Sequence, residues 1–339
     1  MAETTGTRKL NIGLIGLGRL GRVYARDLAT RIPCARLAAV ADLSQPAMDA
    51  VVREFDVPLS SVDPERIIND RSIDAVVIVT PTDTHGTVTK LAAAAGKAIF
   101  CEKPLAISLD DALEMKRVVE ASGVFFQLGF MRRFDRGYVA AKARLGEGAI
   151  GDAVVFKSSS RDPYPPSADY ANPKTSGGLI IDMGIHDFDL ARWFMGEVAS
   201  VQAVGGVLAY PQLGAVGDID NAIITMTFKS GRLGVVDLTR NGIYGYDIMT
   251  DLLGTAGTLR IGYLRETPLM VMTKGSVAHD TVPFFMERFG EAYTTQLENF
   301  AQNVLQGRKP PITVDDGVEV LKIAIAATKA RETGQSVTV

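Results

Sequence analysis

The chain has 339 residues but only 2 Cys, 3 His and 1 Trp. Two cysteines cannot build a disulfide framework. Cys34 and Cys101 both lie in apolar, strand-like stretches and read as small buried hydrophobes. With so few histidines no His/Cys ligand cluster forms, and no metal is expected. Basic blocks are missing and the formal net charge is −3, which argues against nucleic acid as a partner. No apolar run approaches the roughly 18–20 residues of a membrane helix, so no membrane partner is expected. The opening Met-Ala-Glu-Thr-Thr-Gly-Thr-Arg-Lys lacks the apolar core of a signal peptide and reads as a short disordered tail. The natural compartment is the cytoplasm. Internal repeats and low-complexity segments are also missing.

What remains is an ordinary globular balance, 47% hydrophobic and 22% charged, long enough for two domains. The chain is organised around residues 10–21. The apolar run Leu10 to Ile15 reads as a buried strand. It leads into Gly16, Gly18 and Gly21, matching G-x-G-x-x-G with Arg19 and Leu20 inside the turn, and then into a helix. This is the context of a dinucleotide-binding turn. Gly16 permits the sharp bend, Gly18 keeps side chains away from a pyrophosphate, and Gly21 lets the helix pack closely on the strand. The pyrophosphate would sit on the helix N-terminus. A second apolar run ends at Asp42, about where an acid that accepts both adenosine ribose hydroxyls is expected. A carboxylate there repels a 2′-phosphate, so NAD is favoured over NADP. A glycine-rich turn without a nucleotide is the bland alternative.

Strand and helix alternate up to about residue 127, which predicts a doubly wound parallel sheet. Ala75–Val79 is a continuous apolar strand, and Thr80, Pro81, Thr82 and His85 follow at its C-terminal end, where ligands sit in such sheets. Thr82 or Thr84 also suits a cap for the next helix. A further strand runs into Glu102 and Lys103, placed in the same cleft, and then Pro104. The N-terminal domain is therefore expected over 8–129. In 130–339 the texture changes to strands with hairpin turns, at 153–159, 198–208, 222–228, 233–239, 247–253, 258–261 and 269–272, followed by two closing helices. This predicts an α+β domain with a large, mostly antiparallel open sheet. A sheet face left uncovered would be an oligomer surface.

From about Ile181 the stretch Gly177–Phe194 has helical spacing. Asp182, His186 and Asp189 then fall at i, i+4 and i+7 among large apolar residues. A carboxylate one turn from an imidazole can fix its tautomer and raise its basicity, as a general base near neutral pH requires. A buried His satisfied by a neighbouring Asp is the structural alternative, and a metal site with Asp187 is a weaker third.

The glycine turn, Glu102-Lys103-Pro104 and Gly177-Gly-x-x-x-Asp182-x-x-x-His186-Asp-x-Asp together resemble the Gfo/Idh/MocA family of NAD(P)-dependent sugar and cyclitol oxidoreductases, over essentially the whole chain. Phe130–Asp135, Tyr244–Ile248 and the segment around Arg288–Tyr293 resemble its inositol 2-dehydrogenases. The resemblance implies that His186 takes the proton from a ring hydroxyl, that Asp182 orients it, and that Lys103 holds the same oxygen while hydride passes to the nicotinamide. It also implies substrate contacts from Arg132, Asp162 and Tyr244, with Tyr246 a rival to Tyr244, and a homotetramer. One departure bears on the substrate. The myo-inositol enzymes carry His and Asn where Ser160 and Asp162 stand, so scyllo-inositol, another cyclitol or a pyranose sugar also fits. A sugar dehydrogenase or reductase and a non-catalytic dinucleotide sensor are the rival functions.

Overall fold

The computed structural model describes residues 8–339, so the expected tail lies almost entirely outside the described residues. Compactness divides the chain into two units. One comprises 1–130 with 293–318, and the other 131–292 with 319–339. The contiguous split expected near residue 130 therefore differs in one returning segment. Tyr293–Val318 belongs with the first unit because it supplies that unit with buried contacts. Phe300 packs its ring on Phe100 and Phe125 at 5.7 and 5.6 Å between centroids. Thr294 donates to Asp27 at 2.7 Å, and the backbone of Leu128 donates to Ile312 at 3.2 Å.

The first unit is a parallel sheet of six strands, β1 (Leu10–Ile15), β2 (Ala35–Ala41), β3 (Leu59–Ser61), β4 (Ala75–Ile78), β5 (Ala98–Glu102) and β6 (Phe126–Gly129), in the order β3-β2-β1-β4-β5-β6. Every residue of β4 is buried, as an apolar strand covered on both faces should be. Connections leave β1 toward β2 on one side and enter β4 on the other. The crevice at this reversal of direction is where open α/β sheets bind ligands.

The second unit is built on β7 (Ala153–Arg161), β8 (Val198–Gly206), β9 (Asn221–Phe228), β10 (Leu233–Thr239), β11 (Asp247–Gly254) and β12 (Thr258–Ile261). The strand expected at 269–272 is β13 (Val271–Thr273), which forms a small separate hairpin with β14 (Ser276–Ala278); β14 and a terminal strand β15 (Val337–Thr338) were not anticipated. The main sheet runs β12-β11-β7-β10-β9-β8-β15, antiparallel except for the β7–β10 pair. Lys229-Ser-Gly-Arg makes the expected hairpin, with Gly231 at φ +82°. Alternation separates the two faces. Ile224, Val236, Phe156, Ser158 and Ser160 are buried on one, while Val204, Ile223 and Leu233 on the other are exposed by 68, 50 and 54%.

Candidate active site

In the first unit the glycine turn stands at the sheet's reversal point. Gly16 has φ +99°, and a Cβ there would lie 2.6 Å from the Val79 carbonyl oxygen at the end of β4. At Gly21 a Cβ would lie 2.1 Å from the Gly16 oxygen, so the Arg19–Thr30 helix can meet the strand only through glycine. Gly18 differs, because its Cβ would meet no protein atom within 4 Å. That glycine is open toward the side where a pyrophosphate is expected. Gly18 is also the helix N-cap, with no side chain bonding the first-turn amides and no acidic residue beside them. Arg19 is exposed and Leu20 half-buried at the same terminus. These features fit a bound anion. Asp42 follows β2 and is tied to the turn. One oxygen accepts from the Leu17 amide at 2.6 Å and the other from the Ser44 amide at 2.7 Å. A carboxylate has about four acceptor sites, so capacity remains for ribose hydroxyls.

Beyond β4, Thr80, Pro81 and Thr82 lie at the surface of the crevice, half-buried, exposed and half-buried. Thr84 does not cap the following helix. Its hydroxyl bonds Thr80 Oγ1 and the Pro81 carbonyl, both at 2.7 Å, because Thr82–Thr84 is a 3-10 turn that leads straight into the helix. Two residues expected to line the cofactor cleft do not offer their side chains to it. His85 is 1% exposed, with Nδ1 at 2.9 Å from the Pro104 carbonyl and Nε2 at 3.0 Å from the Thr80 carbonyl. Glu102 is 5% exposed, wedged against Gly129 and bonded to Tyr24 and Gln296. Lys103 is half-buried, and its bond to Pro104 is cis.

In the second unit the expected Asp182–His186–Asp189 seam is corrected. The helix is broken into Gly178–Asp182 and Ile185–Met195. Gly184 stands at the break, where a Cβ would come 2.6 Å from the Ile180 carbonyl and 2.9 Å from Leu238. Asp189 turns away to Arg133, which donates to it at 2.9 and 2.5 Å. Asp182 accepts from the Tyr170 hydroxyl at 3.1 Å and lies 3.6 Å from the Arg240 guanidinium. Arg240 is 1% exposed and donates to Asp218 at 2.6 Å, while Asp218 accepts from the Leu179 amide at 2.9 Å. A buried cation thus stands beside Asp182, and the acid opposite it also anchors the Gly178–Asp182 helix. His186 is 8% exposed at the start of the next helix.

Arg132, expected as a substrate contact, takes part in a buried network. It is 2% exposed and donates to Asp187 at 2.8 Å and Ser160 at 3.1 Å. Ser158 and Ser160 also donate to Asp187, at 2.5 and 2.8 Å. Ser160, where the resembling myo-inositol enzymes carry His, is therefore wholly enclosed rather than presented to a ligand. Tyr244, the other expected contact from this stretch, lies nearer the surface. It is 44% exposed, and its hydroxyl bonds Arg161 at 2.9 Å and Asp247 at 2.7 Å. Tyr246 is the residue placed with Arg132, Asp162 and Asp187. Burial, then the charges of Asp162 and Asp187, push its phenol well up, against the pull of Arg132. A single residue separates the tyrosines, Gly245, and at φ +147° it turns the chain between them. Spacing alone could not choose. Ser158, Ser160 and Asp187 were missed as a set. The available signal was two serines at period 2 on an otherwise apolar strand face, opposite an acid inside an apolar helix.

Residues 10–130 match the family model described as "Oxidoreductase family, NAD-binding Rossmann fold", and 142–339 match "Oxidoreductase family, C-terminal alpha/beta domain". The chain belongs to the Gfo/Idh/MocA oxidoreductase family. It is 40% identical to scyllo-inositol 2-dehydrogenase (NAD(+)) of Bacillus subtilis, over 97% of this chain and 96% of that one. It is 38% identical to myo-inositol 2-dehydrogenase of Thermotoga maritima, over 97% and 98%. Among solved structures, scyllo-inositol dehydrogenase from Lactobacillus casei with bound NAD(H) and scyllo-inositol superposes with a TM-score of 0.93 at 34% identity, covering 98% of this chain and 99% of that one. The family Rossmann domain, the open Gly18 and Asp42 make NAD the cofactor. Among the described residues no group of three or more His, Cys, Asp or Glu could hold a metal, and no helix is long and apolar enough to cross a membrane.

Proposed function

We propose that this protein oxidises a ring secondary alcohol of an inositol to the ketone, with NAD as hydride acceptor. The reading is carried by the open Gly18 cradle and Asp42, on a chain that keeps Lys103, Asp182 and His186. Full-length likeness to NAD-dependent inositol 2-dehydrogenases supports the substrate class. Gly16, Gly18, Arg19, Leu20 and Gly21 hold the pyrophosphate, Asp42 the ribose, and Thr80, Pro81 and Thr82 the wall of the crevice. NAD supplies a hydride acceptor when bound. His186 accepts the hydroxyl proton, Asp182 steadies the imidazole, and the Lys103 ammonium holds the same oxygen as charge develops on it. Asp162 and Tyr246 bind remaining hydroxyls.

Initial rates on a panel of inositols and aldoses, with NAD and with NADP, test the reading. Turnover of scyllo- or myo-inositol with NAD is expected, together with its loss in Lys103→Met and His186→Ala. Oxidation of aldoses but no cyclitol would replace the substrate class. We further propose a cytoplasmic homotetramer that self-associates through the sheet face bearing Val204, Ile223 and Leu233. That apolar face resembles the kind covered in oligomers. A monomeric mass by light scattering would refute the assembly.

A further inference from the structure

His85 and Glu102 are buried, titratable and unused by the chemistry just described, yet both end at the backbone around Lys103. Glu102 Oε2 accepts from the Lys103 amide at 3.1 Å. Its other oxygen accepts from the Tyr24 hydroxyl and, at 3.3 Å, from Gln296, which also donates to Tyr24 at 2.5 Å. A Cβ on Gly129 would approach that same oxygen to 2.8 Å, so glycine is what leaves the carboxyl its place there. On the other side of Lys103, His85 Nδ1 lies 2.9 Å from the Pro104 carbonyl, and Nε2 lies 3.0 Å from the Thr80 carbonyl at the end of β4. Burial pushes the imidazole below its ordinary range, against the pull of those carbonyls. A neutral ring carries one N–H, so it donates to one carbonyl and meets the other as a close polar contact.

We propose that Glu102 and His85 are positioning residues that pin the backbone on the two sides of Lys103, one holding the Lys103 N–H and the other the Pro104 C=O. The proposal rests on Lys103 as the residue that holds the reacting oxygen. The Lys103 side chain is half-buried and flexible along four methylenes. Its reach is set by where its Cα is held. Anchoring the Glu102–Lys103 peptide on one side and the carbonyl of Pro104 on the other limits the backbone freedom that would otherwise spread the ammonium over many positions. A misplacement of about 1 Å costs up to roughly a hundredfold in rate. The same two side chains tie Lys103 to different parts of the unit. Glu102 leads through Tyr24 to the helix behind the glycine turn, and His85 leads to the Thr80 corner.

The test combines His85→Ala and Glu102→Leu with Glu102→Gln, which keeps an acceptor for the Lys103 amide, and Lys103→Met as reference. Readouts are kcat and KM with scyllo- and myo-inositol, NAD affinity by calorimetry, and the melting temperature. Expected are a kcat lowered by about tenfold or more in the first two variants, NAD affinity within about threefold of wild type, and recovery in Glu102→Gln. Should the first two fail to fold, His85→Gln and Glu102→Asp make milder cuts. The Gln amide overshoots the Pro104 carbonyl and the Asp carboxylate falls short of the Lys103 amide. Both are expected to lower kcat by about fivefold at unchanged NAD affinity. Wild-type kcat in the folded His85 and Glu102 variants, beside an inactive Lys103→Met, overturns the positioning role alone. So does loss of NAD affinity in proportion to kcat. An active Lys103→Met overturns the reading of Lys103 beneath it.

Discussion

Asp187→Asn should be among the most damaging single changes in the second unit. Asp187 is fully enclosed, and its carboxylate accepts from Arg132, Ser158 and Ser160. The amide keeps the shape but loses the charge and turns two acceptor positions into donors. Arg132, at 2% exposure, then holds an uncompensated buried charge. Breaking one partner of such a pair costs about 3–5 kcal/mol, and this outweighs the loss of roughly 1 kcal/mol at each serine. Trp193, the only tryptophan, lies on the same Ile185–Met195 helix, so its fluorescence reports this unit. With an m-value near 3 kcal/mol/M, the urea midpoint should fall by about 1–2 M. His186 is the neighbouring residue on that helix, so kcat should fall with it. The double change Arg132→Met with Asp187→Leu removes both charges and should recover most of the loss. A cost below about 1 kcal/mol for Asp187→Asn, or additive losses in the double variant, would refute this account of the network.

Gly18→Ala should leave the melting temperature within about 2 °C of wild type, since its Cβ meets no protein atom, yet weaken NAD binding by about tenfold. Gly21→Ala, aimed at the Gly16 carbonyl from 2.1 Å, should instead lower stability, and a calorimetric scan with a titration separates the two effects. Asp42→Asn should erode the preference for NAD over NADP by about tenfold, and an unchanged ratio of the two affinities would remove Asp42 from ribose recognition. Asp220 accepts from the amides of Leu208, Ala209 and Tyr210 at 2.7, 2.8 and 2.5 Å. Burial opposes its charge, but these bonds and Asn221 outweigh that and hold its carboxyl below the usual range. A depressed native pKa gives stability that is present above the unfolded value near 3.8 and lost as pH falls through the native one. The stability gap between wild type and Asp220→Asn should therefore be constant at neutral pH and close below about pH 4, as urea titrations at stepped pH would show.

The glycine turn was legible because its chemistry is local. Backbone bend, amide direction and helix packing are all decided within residues 10–21, and Asp42 meets the turn through its own strand end. The alternation of strand and helix, and then of strand and hairpin, was legible because burial on both faces or on one face leaves different periods. Helical spacing misled at Asp182–Asp189. The period survives a break, and this helix is interrupted at Gly184, where a side chain would collide with Leu238 from another part of the fold.

Charge was the least legible property. Arg132, Arg240 and Arg288 carry the same side chain as any surface arginine, yet each is buried and donates to an acid, Asp187, Asp218 or Asp135. Sequence separations between partners run from 22 to 153 residues, so no local pattern joins them. Their burial has a common consequence for the candidate site. A charged pair held in apolar surroundings is costly to break and has few alternative geometries, so it fixes direction better than apolar packing of equal volume. Two of the three pairs adjoin the residues proposed for chemistry, Arg240 beside Asp182 and Asp187 beside His186. If rigidity is what these pairs contribute, Arg240→Met should cost more in kcat than in KM. An equal loss in both would instead assign Arg240 to substrate binding.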